Sequence, residues 1–338
     1  MGGDRAPDMV VAGAAIAAAE HPSIRFLFVG DEARVKPLMD RQPALAAVST
    51  LLHTTEIVTN DAKPSVALRA GRQSSMRLAI NAVHDGRAAA VVSAGNTGAL
   101  MAMAKFVLKT APGIDRPAIA SVLPTARGMT VMLDLGANIE CDANNLVQFA
   151  IMGEVYARMI LNLERPTIGL LNVGSEEQKG HEELRAANAL LRENKLNLAY
   201  HGFIEGDAIM AGKVDVVVTD GFTGNITLKA VEGIARLYAQ LLREAFSSSL
   251  ASKLGYALAR PAMTQVRKRV DPRRYNGAIL LGLNGIAIKS HGGTDPIGFA
   301  HAIGVAINMA ENRAVERIQD ELQRFGGGLQ AAAHTAAG

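Results

Sequence analysis

Tryptophan is absent from the chain, aromatics of all kinds make up 4%, and there is one cysteine in 338 residues. The shortage of aromatic rings argues against a base-stacking surface, and no nucleic-acid partner is expected. A lone cysteine, Cys141, excludes an intramolecular disulfide and a cysteine-rich zinc site, and it fits a reducing cytosol. No stretch reaches the ~18 uninterrupted apolar residues that a spanning helix needs. The apolar run from Met9 to Ala19 follows Asp4 and Asp8, where a signal peptide would be basic, so it reads as a buried helix. Two nucleotide motifs are also missing: there is no GxxxxGK(S/T), and no GxGxxG follows a strand. Neither a nucleoside triphosphate nor a Rossmann-bound NAD is favoured, and no cofactor is expected.

What is present suffices for a large core. Hydrophobic residues make up 49% and charged residues 20%, with a formal net charge of +3 and a pI near 9.0. That balance allows a local basic patch without implying a polyanion binder. Residues 1–325 read as a single α/β unit and 326–338 as a disordered tail.

The most informative stretch is Val214 to Lys229, VDVVVTDGFTGNITLK. A short β-branched run, a glycine-rich turn and a helical pattern from Ile226 place amides and small polar side chains at the positive end of a helix. The same order recurs. SAGNTG (93–98), DLGAN (134–138), NVGSEEQKG (172–180) and DGFTGN (220–225) all follow apolar strands. In a doubly wound, mostly parallel sheet such turns share one edge, and ligands bind outside it. Asn284-Gly285 between two apolar runs signals a hairpin, so the sheet is expected to be mixed.

A phosphate-sized anion suits these turns. Ser93, Asn96, Thr97, Gly98, Asp134, Asn138, Glu176, Asp220 and Thr223 are candidate substrate-binding residues, with Asp4 at the edge of the site. Lys179, Asn225 and His291 are the candidate catalytic groups. Asp134, Glu176 and Asp220 could instead hold a divalent ion if they converged, although no metal is assigned. Cys141 has no histidine beside it and reads as a buried spectator rather than a nucleophile.

Helical spacing continues from Ile226 to about Ala259, with Val231, Ile234, Tyr238 and Leu241 forming a stripe that faces a partner helix. Leu250, Leu254 and Leu258 follow four apart before Pro261 stops the helix. Six basic residues then meet one acid between Arg260 and Arg274, including Arg267, Lys268, Arg269, Arg273 and Arg274. Residues 228–275 thus read as a projecting helical pair. An amphipathic stretch joined to a cationic segment suits an anionic membrane surface or an acidic protein.

MGGDRAP (1–7), SAGNTGAL (93–100), LDLGAN (133–138), NVGSEEQKG (172–180), DGFTGNITLK (220–229) and LLGLNGIAIKSHG (280–292) occur in an order that resembles the bacterial phosphate acyltransferases of phospholipid synthesis. The resemblance runs from Met1 to about Arg324. It implies transfer of a fatty acyl group from acyl carrier protein to inorganic phosphate, giving acyl phosphate. It also implies a Rossmann-like α/β/α sandwich akin to phosphotransacetylases, a homodimer, and a cytoplasmic protein held loosely at the membrane. An acyl-CoA-using phosphotransacylase would share the turns without needing the basic segment. A non-catalytic, membrane-docked scaffold for acyl carrier protein would need that segment and not the turns. The family pattern opens with a short strand before MGGD that is missing here, so the natural chain is expected to begin upstream with an extended apolar run.

Overall fold

The computed structural model describes residues 1–193 and 197–335. The N-terminal part holds α1 (Asp8–Glu20), β1 (Phe26–Gly30), α2 (Glu32–Asp40), α3 (Pro43–Ala46), β2 (Ser49–His53), α4 (Pro64–Ala70) and α5 (Ser75–His84). Then come β3 (Ala90–Ser93), α6 (Thr97–Leu108), β4 (Ala118–Thr125), β5 (Gly128–Leu133), α7 (Ala143–Leu161), β6 (Thr167–Leu171) and α8 (Glu182–Arg192). The chain continues through β7 (Ala199–Ile204), α9 (Gly206–Ala211), β8 (Val216–Val218), α10 (Gly221–Ser247) and α11 (Leu250–Arg269). It closes with β9 (Ala278–Leu281), β10 (Ile286–Lys289), α12 (Pro296–Glu311) and α13 (Ala314–Thr335).

Eight strands form one mixed sheet in the order β3-β10-β9-β4-β5-β8-β6-β7, while β1 and β2 pair in parallel as a separate ribbon. Both faces of the large sheet are covered. On β8, Val216 and Val218 turn to the side of α7 and α8, and Val217 turns to the side of α5 and α6. Period-two alternation with every residue apolar is what a strand buried on both faces requires. A third core joins α1, β1, α2 and α12 through Met9, Val11, Phe28, Val35 and Phe299.

Strand direction corrects one expectation. β10 runs parallel to β3 and antiparallel to β9, β4 is antiparallel to both β9 and β5, and β8, β6 and β7 run parallel to β5. β3 therefore points opposite to β5, β6 and β8. SAGNTG ends at one edge of the sheet, and the other three turns gather at the opposite edge. Three successive antiparallel pairings, β10–β9, β9–β4 and β4–β5, cause the reversal; only the first carries an Asn-Gly signal in the sequence.

One helix boundary also differs from the sequence reading: Pro261 does not end α11, which runs on to Arg269. α4 and α5 are separated at Ser74, which caps α5 by accepting from the Arg77 amide at 3.3 Å. α12 and α13 divide at Arg313, whose φ is +53°. α13 is helical to Thr335, and residues 336–338 lie outside the described residues.

α10 and α11 form the projecting pair. No residue of α11 is buried, and in α10 only Gly221 and Gly224 are. Phe246 and Tyr256 meet across the pair with ring centres 5.1 Å apart. The α10 stripe is not covered within the chain: Ile234, Leu237, Tyr238 and Leu241 all stay more than half exposed. No helix among the described residues is long and apolar enough to cross a membrane.

A cavity of about 610 Å³ lies between β1 and β3, walled by Phe26–Val29, Ala90–Ser93, α1 and α12. Each of those strands pairs on one side only, β1 with β2 and β3 with β10.

Candidate active site

Asp134 organises the edge where DLGAN and DGFTGN meet. It has no exposed surface, and its carboxylate accepts from the amides of Ile119, Gly136, Ala137 and Asn138 and from Asn138 Nδ2, at 2.7 to 3.1 Å. Burial pushes its pKa up, and these donors work against that shift. Its oxygens are spent on the turn, so Asp134 shapes the site and does not line it. Asn138 does likewise, giving its amide to Pro117 O at 2.8 Å.

The first turn of α10 closes onto this loop. Asp220 caps the helix, accepting from the Thr223 amide at 2.8 Å and from its hydroxyl at 2.9 Å, so Asp220 and Thr223 satisfy one another. Gly224 is required by proximity: a Cβ there would lie 1.8 Å from Asp134 O. Asn225 is left exposed, with Gly136 beside it at φ +127°.

At the opposite edge a second group converges. Asn96 caps α6 through the Ala99 amide and gives its own amide to Asn60 O and Ala62 O, each at 2.9 Å. Asn60 in turn donates to Asp4 at 2.8 Å. Asp4 Oδ2 faces Gly292 and Gly293, the residues after His291. The His291 ring accepts from the Gly293 amide at Nδ1, 3.1 Å away, which leaves the proton on Nε2. Ser93 holds the Gly95 amide at 3.2 Å, Thr97 is exposed, and Gly98 rests against Pro64.

α10 joins the two edges. Asn225 and Lys229 lie one turn apart on the same face of that helix. The charge of Lys229 reaches Lys289 at the end of β10, beside Ser290 O. Burial pulls the Lys289 ammonium down to about 8; Asp4 counters the shift and Lys229 adds to it. The candidate cleft is therefore the strip along the first two turns of α10, from the Asp134 loop beside Asn225 to Lys229 and Lys289, with Lys229 also paired to Glu232 at 2.9 Å.

Lys289, Lys229 and Asn60 are not among the residues that sequence reasoning singles out. IAIKSHG carried a lysine at a strand end, which was the available signal; Asn60 lies in a loop without one. Lys179 and Glu176 are exposed in their turn and lie against Gly174. Asn172 fixes that turn by donating to Lys179 O at 3.1 Å, and neither side chain makes a described contact with the cleft. Asp134, Glu176 and Asp220 form no metal-binding group among the described residues. Burial raises the Cys141 thiol to about 12, with Asp134 and Asp220 adding to the shift, so it is no thiolate at neutral pH.

Polar groups placed at strand ends and helix starts in this way are the arrangement of phosphate-handling α/β enzymes. Solved structures of that kind share the fold. A phosphotransacetylase from Streptococcus pyogenes superposes with a TM-score of 0.62 over 91% of this chain and 92% of its own, at 19% identity. A branched-chain phosphotransacylase from Enterococcus faecalis V583 gives 0.55 over 91% and 96%, at 13% identity. The chain belongs to the fatty acid synthesis protein family, whose pattern matches residues 1–317, and it is an acyltransferase. Phosphate acyltransferase of Rhodospirillum centenum is 65% identical over 98% of this chain and 94% of its own length. Phosphate acyltransferase of Rhodospirillum rubrum is 59% identical over 96% and 93%.

Proposed function

We propose that this acyltransferase moves a fatty acyl group from the thioester of acyl carrier protein to inorganic phosphate, yielding acyl phosphate for phospholipid synthesis. The observation that carries the reading is the half-buried Lys289 at the end of β10, within reach of the charges of Asp4 and Lys229 and next to the His291 turn, with Lys229 shared with Glu232. The likeness to phosphate acyltransferases over nearly the whole chain supports it.

The chemistry needs few groups. Inorganic phosphate gives up its second proton near neutral pH, so a large share of it is already the dianion and no strong base is needed. Its oxygen attacks the thioester carbon, the tetrahedral oxyanion collapses, the carbon–sulfur bond breaks, and the thiolate takes a proton. Lys229 and Lys289 hold the dianion, with Lys179 as an outer cation. Asn225 binds the oxyanion, the Nε2–H of His291 hydrogen-bonds to the leaving sulfur, and the proton the thiolate takes is the one the phosphate carried. Thr97 and Gly98 border the phosphate; Ser93, Asn96, Asp4, Asp220 and Thr223 hold the loops that present these groups.

The protein works in the cytoplasm as a homodimer whose uncovered α10 stripe meets its counterpart. Leu250, Leu254 and Leu258 on α11, each more than 60% exposed, touch an anionic membrane together with Arg267, Lys268 and Arg274. Two neighbouring cations are committed elsewhere: Arg273 pairs with Asp271 and Asp295, and Arg269 donates to Thr125 O and Ala126 O.

Loss of thioester from acyl carrier protein and from coenzyme A, with and without phosphate, tests the reading. The expected result is phosphate-dependent consumption of the carrier-protein substrate in preference to acyl-CoA. A preference for acyl-CoA would instead make the protein a coenzyme A phosphotransacylase. Binding of carrier protein with no turnover would leave a scaffold.

A further inference from the structure

Between Ala62 and Ile114 the sequence has seven lysines and arginines and one acid, Asp85. Asp85 is taken by the neighbouring His84 at 2.9 Å. None of the seven cations forms an ion pair among the described residues. α6 packs against both α4 and α5, so the three helices share one outer face. At its centre is Phe106, 52% exposed, with the Arg77 guanidinium 5.1 Å and the Lys109 ammonium 4.8 Å from its ring centre. Arg72 is close enough for its charge to act on Arg77, and Lys105 and Arg69 are exposed.

This concentration of one charge repels itself, and an exposed aromatic held between cations adds apolar area to it. Inorganic phosphate does not need it, because the patch lies outside the cleft. Its near end is nonetheless at the rim: Lys63 precedes Pro64, which packs on Gly98, and Ala62 O binds Asn96. Its centre, Phe106, lies about 15 Å along α6 from Asn96, at 1.5 Å per residue. A large acidic partner bound there would need a long arm to bring its reactive group to the cleft.

We propose that the α4–α6 face, centred on Phe106, Arg77 and Lys109, is the docking surface for the acidic face of acyl carrier protein. The inference rests on the carrier protein being the acyl donor. It assigns donor docking to this face and leaves α11 for the membrane. A single ring with Val66 nearby lacks the continuous apolar stripe that an interfacial helix presents.

The test is Arg77→Glu with Lys109→Glu, plus a milder pair, Arg72→Gln with Lys105→Gln. The first pair should raise both KM for acylated carrier protein and the Kd for the unacylated carrier by tenfold or more. Its kcat, and its turnover of a small acyl thioester, should match the parent. The milder pair should move KM in the same direction by a smaller factor, and added salt should erase both differences. If neither pair moves KM while the parent protein uses the carrier substrate, the docking face is wrong. Loss of binding to vesicles containing acidic lipid, with KM unchanged, would make the face a membrane contact and overturn the proposal as well. A parent protein inactive on carrier thioester would instead remove the donor assignment on which the inference stands.

Discussion

Lys229 and Lys289 stand on different elements, the second turn of α10 and the end of β10, yet the charge of one lowers the pKa of the other. Burial is the larger cause, and together they bring Lys289 to about 8, within the working range of an enzyme. Lys289 is the desolvated one of the two; Lys229 is exposed and paired with Glu232 at 2.9 Å, so a phosphate dianion would have to draw it from that carboxylate.

A pH dependence with opposite signs in two measurements follows. Lys289 must be protonated to hold phosphate, so kcat/KM for phosphate should fall as pH rises through about 8. Stability should move the other way. Between about 8 and the ordinary lysine value near ~10.4 the unfolded chain binds the extra proton, so raising the pH across that window favours the fold. Lys289→Met should flatten both profiles. Parallel profiles in the parent and the variant would show that another group titrates there.

Asn225 and Lys179 separate the inner site from its rim. Asn225 faces the cleft from the first turn of α10, so Asn225→Ala should cost about 2–4 kcal/mol in the transition state, the scale of a lost oxyanion contact. Lys179 lies in an exposed turn, and Lys179→Ala should cost less and act mainly on KM for phosphate. Thermal midpoints near the parent value would show that neither change acts through folding. A kcat close to the parent for Asn225→Ala would remove that residue from the oxyanion site.

The sequence was most legible where one residue type has one use. β-Branched runs marked the buried strands, Asn284-Gly285 marked the hairpin, and glycine-bearing turns marked strand ends. Direction was not legible, because a strand pattern reads the same in a parallel or an antiparallel neighbour. Four turns were therefore placed on one edge when β3 runs against the other three. Asp134 shows a second limit: an acid in a turn reads as a ligand contact until its five donors are seen. Lys289 was hidden because convergence with Lys229 joins positions 60 residues apart in sequence, and no local pattern reports that.

The proposed membrane contact lies on one face of α11. Leu250, Leu254 and Leu258 are 85%, 66% and 78% exposed, an unusual cost for three leucines on one helix. Leu254→Glu or Leu258→Glu should weaken flotation with vesicles containing acidic lipid, while turnover of soluble substrate changes little. Unaltered flotation in both variants would rule out α11 as the contact.

The last prediction concerns the cavity between β1 and β3. Met1 packs against Gly30 at the end of β1, and Gly2 lies beside Gly95 just past the end of β3, so both strands finish at the same edge and run in parallel. Their facing edges carry backbone donors and acceptors that no strand pairs. Burial also pushes the Met1 amine down. Each unpaired buried group costs about 1–3 kcal/mol, and a bound alkyl chain would satisfy none of them. An extended segment would satisfy both edges while filling the apolar walls formed by Val11, Phe28, Val91 and Phe299. A five-residue Val- and Ile-rich segment fused ahead of Met1 should therefore raise the thermal midpoint by several degrees. Asp4 follows it by three residues, so turnover should rise too as the Asp4–Asn60 contact is fixed. The control is a segment of equal length made of Gly, Ser and Pro, which cannot pair on both sides. Equal midpoints for the two fusions would mean that the cavity takes no strand, and that its open edges are satisfied by water.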